Sequence, residues 1–177
     1  MRLLRWLALW FRRRSIARTR LDAEHVLRSA RATMRRKRYC VLATSGADGV
    51  DARVLQPFAP DDDLGVWLGT HRGSRKARQI EETGRATLVY EDDAKSACVT
   101  LVGRARLVDD PALREAHFGG LWYAFFPRGP IEDDYVLVRF EPERVEVVDF
   151  TRHVTPAPFG LRAAVLTRRA GTWALAA

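Results

Sequence analysis

Gly69-Thr70-His71-Arg72-Gly73-Ser74-Arg75-Lys76-Ala77 is the stretch on which the reading of this 177-residue chain turns. The apolar run 64–70 reads as a strand, and His71-Arg72-Gly73 as a loop. Ser74 then caps a helix that continues through Glu82 and ends at Thr83-Gly84. The first turn of a helix has free backbone N–H groups and the positive end of the helix dipole, so cations there are mildly unfavourable unless an anion is bound. Arg75 and Lys76 make physical sense with a phosphate between them, Arg as a bidentate fork and Lys as a point charge. A solvated basic helix start is the alternative that spacing alone leaves open.

Outward from this stretch the apolar residues come in short runs broken by turn signals. Upstream, 39–44 is a strand, Ser45-Gly46-Ala47-Asp48-Gly49 a hairpin loop, and 50–58 the partner strand. Before them, 21–38 has helical spacing through Leu21, Val26, Leu27, Ala30 and Met34. Downstream, 86–90 and 97–108 are strands. Asp110-Pro111 opens a helix that carries His117, Phe118, Leu121, Trp122 and Phe125 and stops at Pro127. Residues 135–140 and 145–150 read as two further strands around Pro142, and the tail after Thr151 is less regular, with an apolar run at 163–167 and a late Trp173. The expected fold is mainly β with flanking helices: six to eight mostly antiparallel strands in a small closed or nearly closed barrel. Three segments are expected: an extension over 1–20, a barrel domain over 21–150, and a tail over 151–177 that packs on the barrel or on a dimer partner.

Charge is unevenly spread. The formal net charge is +8, but residues 1–38 hold 13 basic and 2 acidic side chains, which leaves 17 basic against 20 acidic for the rest. The basic character therefore belongs to an N-terminal arm, and nucleic-acid binding by the body is not expected. In that arm, residues 3–11 are apolar but for Arg5 and are followed by Arg12-Arg13-Arg14. A spanning helix needs about 20 apolar residues, and a signal peptide would have small residues where the arginines stand. Two readings remain: a short amphipathic helix on an anionic membrane surface, with Trp6 and Trp10 at headgroup level, or an extension that is poorly ordered or packs locally. Met34, just ahead of the first strand, also offers a second start of translation. Cys40 and Cys98 lie in apolar runs and read as two buried thiols of a reducing compartment, consistent with a cytoplasmic protein.

Several chemistries are excluded by inspection: there is no glycine-rich dinucleotide turn, no phosphate loop ending in Gly-Lys-Ser/Thr and no His-Glu-x-x-His. His25, His71, His117 and His153 are widely separated, so no dedicated metal site is expected.

Taken together, Gly73-Ser74-Arg75-Lys76-Ala77 after a strand, the hairpin 39–58 with Arg53-Val54-Leu55 on its second strand, Ala86-Thr87-Leu88-Val89-Tyr90-Glu91-Asp92, Val99-Thr100-Leu101-Val102-Gly103-Arg104-Ala105 and Asp109-Asp110-Pro111 closely resemble the pyridoxamine 5′-phosphate oxidase-like flavoproteins. That family has the FMN-binding split β-barrel fold. The resemblance spans about residues 21–150 and implies a homodimer with FMN at its interface. By position, Arg53, Ser74, Arg75 and Lys76 would hold the FMN phosphate. The backbone of Val54, Leu55 and Gln56 would lie along the flavin ring, with Gly69 and Thr70 in contact at the end of their strand. Trp122, Tyr123 and Trp173 are candidates to complete the site from a second subunit. In such a protein the flavin performs the hydride or electron chemistry on a small-molecule substrate, so no side-chain nucleophile or acid–base pair is expected. A deazaflavin-dependent reductase and a non-enzymatic, stress-related flavin-binding dimer are the alternatives; a haem-binding relative fits less well, for want of a placed axial histidine. Departures from the vitamin-forming oxidase argue against that activity. Val99 stands where it has a flavin-contacting Gln, Gln56-Pro57-Phe58 where it has a Lys near the cofactor, and Gly160-Leu161-Arg162-Ala163 does not match its Arg-Leu-x-Pro segment.

Overall fold

The chain was analysed as a computed structural model that describes residues 2–47, 49–169 and 171–176; Asp48 of the expected hairpin loop lies outside the described residues. Eight strands are linked in the order β2-β1-β4-β5-β6-β7-β8, with β3 paired to β6 off that path, so the mostly antiparallel sheet does not close on itself. The chain divides into two compact units. One comprises Met1–Lys37, Tyr90–Thr100 and Arg144–Ala177, the other Arg38–Val89 and Leu101–Glu143.

The second unit holds the stretch that decides the fold. Strands β1 (Cys40–Gly46) and β2 (Gly49–Leu55) form the expected hairpin, in register from Cys40↔Leu55 to Gly46↔Gly49. Cys40, Leu42 and Thr44 alternate inward on β1, whereas no residue of β2 is fully buried. Strand β3 (Val66–His71) pairs with the first part of β6 (Tyr135–Asp149), from Val66↔Phe140 to His71↔Tyr135. Helix α3 (Arg75–Thr83) follows, with Ser74 as its N-cap and Gly84 in the left-handed region at its end. Its Ala77, Gln79 and Ile80 are buried, and the helix packs on β1. Of strands β4 (Arg85–Asp92) and β5 (Ala97–Val108), the parts through Val89 and from Leu101 belong to this unit.

After β5, Asp110 caps α4 as expected, its Oδ1 accepting from Leu113 N at 2.9 Å, but α4 covers only Pro111–Ala116. The continuous helix expected through Phe125 is replaced by a 3-10 turn at Gly120–Ala124. The physical reason is Gly119-Gly120, a pair with little helical preference, next to His117, whose Nδ1 lies 2.9 Å from the carbonyl of Leu113. The break folds Phe118, Trp122 and Phe126 onto Tyr135, with ring centroids 4.9–5.6 Å from Tyr135 for all three. Phe58, Trp67 and Leu113 pack against the same cluster. Gly69 is the gap that admits Trp122: a Cβ there would lie 2.0 Å from Trp122 Cζ3 and 2.8 Å from Tyr135 Cε2.

In the other unit, α1 (Arg2–Arg18) is a helix, and α2 (Ala23–Arg36) starts at Asp22, whose Oδ1 accepts from His25 N. Val26, Ser29, Ala30, Thr33 and Met34 form the buried face of α2, which packs on β7 (Ala164–Arg169) and β8 (Thr172–Leu175). The tail is thus more regular than its sequence suggests. The two strands expected around Pro142 are one, β6, whose second part pairs with β7 from Arg144↔Thr167 to Val147↔Ala164. Pro142 is tolerated because residues 141–143 fall between the β3 and β7 registers. Among the described residues neither cysteine forms a disulfide; Cys40 is buried as expected, but Cys98 is only half-buried.

Asp149 ties this unit together. It is wholly buried, and accepts from Ser29 Oγ at 2.7 Å, Arg152 N at 2.8 Å, Arg152 Nη1 at 2.9 Å and Thr151 Oγ1 at 2.9 Å. Burial alone would raise its pKa, but the hydrogen bonds from Ser29, Arg152 and Thr151 outweigh burial and hold it below the ordinary 3.8.

Two predictions follow from this packing. Because the folded pKa of Asp149 is depressed, its contribution is complete above 3.8 and is lost as pH falls through the folded value. Asp149→Ala should cost about 2–3 kcal/mol at pH 7, and urea titrations from pH 7 downward should show the gap to the parent protein narrowing in acid. Gly69→Ala should cost about 1–3 kcal/mol by overpacking and displace Trp122, seen as a lower Tm together with a shifted tryptophan emission.

Candidate functional site

In the second unit the end of β3, the start of α3 and the far half of β2 surround a cleft of about 520 Å³. Val54, Leu55 and Gln56 line it from β2 and the residue after it; Gly69, Thr70 and His71 from β3; Lys76 from α3; and Leu121, Trp122, Phe125 and Phe126 from the 3-10 turn and the two residues after it. Arg38 and Tyr39, just before β1, complete the lining. The volume falls within the range of small-molecule sites, and the combination of apolar walls with a few polar groups is what such sites present.

Of the nine residues expected to bind a cofactor, Val54, Leu55, Gln56, Gly69, Thr70 and Lys76 line this cleft. Ser74 is placed by its capping role: its Oγ lies 3.4 Å from Ala77 N and 3.4 Å from Thr70 Oγ1. Arg53 is directed along the hairpin, where Nη1 donates to Thr44 Oγ1 at 2.6 Å and Nη2 lies 3.4 Å from Gln79 Oε1. Arg75 faces away from the cleft lining, with Nε 3.1 Å from Asp51 Oδ2.

Gln79 organises this corner. Its Oε1 accepts from Thr44 Oγ1 at 2.6 Å, and its Nε2 donates to Asp51 Oδ2 at 2.7 Å. Asp51 is thus held between Arg75 and Gln79, with Arg53 Nη2 4.0 Å away. Sequence reading missed Asp51, Gln79 and Thr44, and also Arg38, Tyr39, His71, Leu121, Phe125 and Phe126 of the lining. Only His71 had a local signal, its place in the loop before α3; its Nδ1 accepts from Gly73 N at 3.0 Å and shapes that loop.

The electrostatics of the corner favour an anion. Burial lowers the pKa of the Lys76 ammonium, and the Arg53 guanidinium lowers it further. Arg53 is itself lowered by burial, with Asp51 opposing that shift and Arg75 adding to it. Partly desolvated cations that repel one another are relieved when an anion binds between them. Strand β2 ends the sheet path, so among the described residues one side of its backbone faces no neighbouring strand.

The remaining candidates and departures are placed as follows. Trp122 lies in the cleft, Tyr123 is exposed against Phe118, and Trp173 is buried on β8. Val99 is wholly buried on β5, Phe58 meets His117 edge to face and Trp122 at a tilt, and Leu161 is exposed in a bend.

The chain resembles three solved structures closely enough to share their fold. A pyridoxamine 5′-phosphate oxidase-related, FMN-binding protein of Nostoc punctiforme is 21% identical, with a TM-score of 0.64 over 87% of this chain and 91% of that one. PhzG of Burkholderia lata, solved with tetrahydrophenazine-1-carboxylic acid, is 20% identical, with a TM-score of 0.62 over 98% of this chain and 88% of that one. A Clostridium acetobutylicum protein related to general stress protein 26 is 21% identical, with a TM-score of 0.63 over 71% and 89%. No curated protein sequence matches the chain. The pyridoxamine 5′-phosphate oxidase family model matches residues 27–149, a span that contains both the hairpin and the cationic corner. With more than two thirds of its length so matched, and with the open antiparallel sheet of the split barrel, this chain belongs to the pyridoxamine 5′-phosphate oxidase family.

Proposed function

We propose that this protein binds FMN non-covalently in the cleft beside α3 and acts as an oxidoreductase on a small molecule. The observation that carries the proposal is a cleft with apolar walls that is lined by Lys76 and by Val54, Leu55 and Gln56 at the end of the outer strand β2, with Arg53 near enough to lower the Lys76 pKa. The residues fit the cofactor's two ends. Lys76, Arg53, Ser74 and the free N–H groups of the first turn of α3 suit a phosphate, and Trp122, Phe125, Leu121 and the backbone of Val54, Leu55 and Gln56 suit a flat ring. Arg75 would have to leave Asp51 to join them. FMN is preferred to a deazaflavin because the Nostoc relative is an FMN-binding protein.

When bound, the flavin would supply the hydride or electron transfer, and the protein's own part would be to bind, orient and exclude water. Gly69, Thr70 and Trp122 would set the floor against which the ring rests. We further propose a homodimer, since Val54, Leu121, Tyr123 and Phe125 leave a large apolar surface exposed around the cleft mouth, and a second chain would cover it. We also propose residence in the cytoplasm, a compartment that keeps thiols such as Cys40 and Cys98 reduced. Among the described residues no helix is long and apolar enough to cross a membrane.

Purified protein should carry, or take up on titration, a chromophore with flavin absorption that is released on denaturation and identified as FMN. A protein that binds only a deazaflavin would overturn the cofactor assignment. FMN binding without turnover against nicotinamide cofactors and varied electron acceptors would leave a flavin-binding dimer in place of an oxidoreductase. Lys76→Met should weaken FMN binding about tenfold to a hundredfold, the loss expected for one charge-assisted phosphate contact. Because the Lys76 pKa is depressed when no anion is present and an anion raises it, affinity should fall as pH rises through the depressed value, and that decline should be absent in Lys76→Met.

A further inference from the structure

Helix α1 presents an apolar stripe that the rest of its unit leaves uncovered. One edge of the helix is held: Phe11 meets Phe159 edge to face at 6.1 Å, Ser15 is buried, and Thr19, just past the helix, has Oγ1 2.8 Å from Thr155 Oγ1. These three residues recur every four positions and mark one side of the helix. Leu3, Trp6, Leu7 and Trp10, spaced i, i+3, i+4 and i+7, form a different stripe, and all four are exposed, at 70%, 61%, 43% and 49%. At its C-terminal end this stripe runs into Arg13 and Arg14, and the Arg14 guanidinium lies 5.4 Å from the centre of a Trp10 ring.

What could cover such a face is limited by charge. Residues 2–21 contain seven arginines and no carboxylate, and the first turn of α1, already the positive end of its dipole, has no acidic residue to offset it. A second copy of the same helix would bring six more arginines against these. A nucleic acid would engage the arginines but leave two tryptophans and two leucines in water. A surface that offers anionic groups and apolar depth side by side satisfies both. At the C-terminal end of α1, Arg18, Arg20, His25, Arg152 and His153 line a cleft of about 580 Å³ that has no acidic side chain in its lining. His153 Nδ1 is buried there without a hydrogen-bond partner.

We infer that α1 lies in the plane of an anionic phospholipid bilayer, with Leu3, Trp6, Leu7 and Trp10 among the upper acyl chains and the arginines on lipid phosphates, one headgroup entering the cleft at Arg18 and Arg20. The attachment is peripheral, and it involves none of the residues of the cofactor cleft.

Co-sedimentation of the full chain with vesicles tests this. Vesicles of phosphatidylcholine containing about a third phosphatidylglycerol should bind the protein at low salt, pure phosphatidylcholine vesicles should bind at least about tenfold less, and high salt should release it. Tryptophan emission should shift to the blue on binding and be quenched by brominated acyl chains. A Trp6→Ser, Trp10→Ser double variant, with unchanged circular dichroism and Tm, should lose about tenfold or more in vesicle affinity, and Arg18→Gln with Arg20→Gln should reduce the preference for anionic over neutral vesicles. No binding to anionic vesicles, equal binding by the tryptophan variant, tryptophan-dependent self-association in place of vesicle binding, or tighter binding to duplex DNA that the tryptophan variant retains would each overturn the inference.

Discussion

Strand β6 has to serve two partners within one run of 15 residues, and the handover from β3 to β7 falls on Glu141-Pro142-Glu143. Strand β5 must approach these residues very closely. A Cβ on Gly103 would lie 2.1 Å from the Glu141 carbonyl oxygen and 2.7 Å from Pro142 Cα, so only a hydrogen fits there. Glu143 leaves the handover between two guanidiniums, accepting from Arg104 Nε at 2.7 Å and Arg85 Nη1 at 2.6 Å, and those bonds hold its carboxyl below the usual range. With β6 fixed in this way, Tyr135 stands opposite His71 and Leu137 opposite Gly69. The end of β3, and hence the start of α3, is therefore positioned by a close contact at the other end of the same strand pair.

The parts of this architecture that local chemistry dictates were legible in the sequence. The cap at Ser74, the left-handed glycine after Thr83, the Asp110-Pro111 start and the hairpin around Gly46 and Gly49 each depend on residues within a few positions of one another. What was not legible depends on distant partners. The helix expected through Phe125 had the right apolar spacing, but Tyr135 offers its ring to Phe118, Trp122 and Phe126 only if the chain breaks at Gly119-Gly120. Pro142 looked like the end of a strand because its tolerance depends on where two neighbouring registers meet. The regularity of 164–175 depends on α2, more than a hundred residues earlier, as the surface on which that hairpin packs.

The same division runs through the cleft. Lys76 could be named from the sequence because it opens a helix after a short loop, and Gly69, Thr70, Val54, Leu55 and Gln56 through resemblance to a family. Leu121 and Phe125 have the apolar character of a core-facing helix stripe, yet they are exposed at 83% and 78%, beside a cleft rather than within a core. Asp51 and Arg75 are 24 positions apart with nothing in either neighbourhood to announce the other. Their meeting is a product of Gln79, a polar residue on the buried side of α3 that a reading by hydrophobic spacing passes over.

Asp51 gives this corner a resident counter-ion. Any incoming anion that drew Arg75 to itself would first have to compete with a carboxylate 3.1 Å away, so the arginine would exchange one partner for another rather than gain one. Exchanges of this kind between exposed ions are close to neutral in free energy. A bare phosphate would then gain little from Arg75, while a molecule that also fills the space beside Trp122 and Phe125 would bind through that second contact. In a site of the kind proposed, the carboxylate would lessen what Arg75 offers a small anion and leave more of the binding to Lys76 and to the organic part of the ligand.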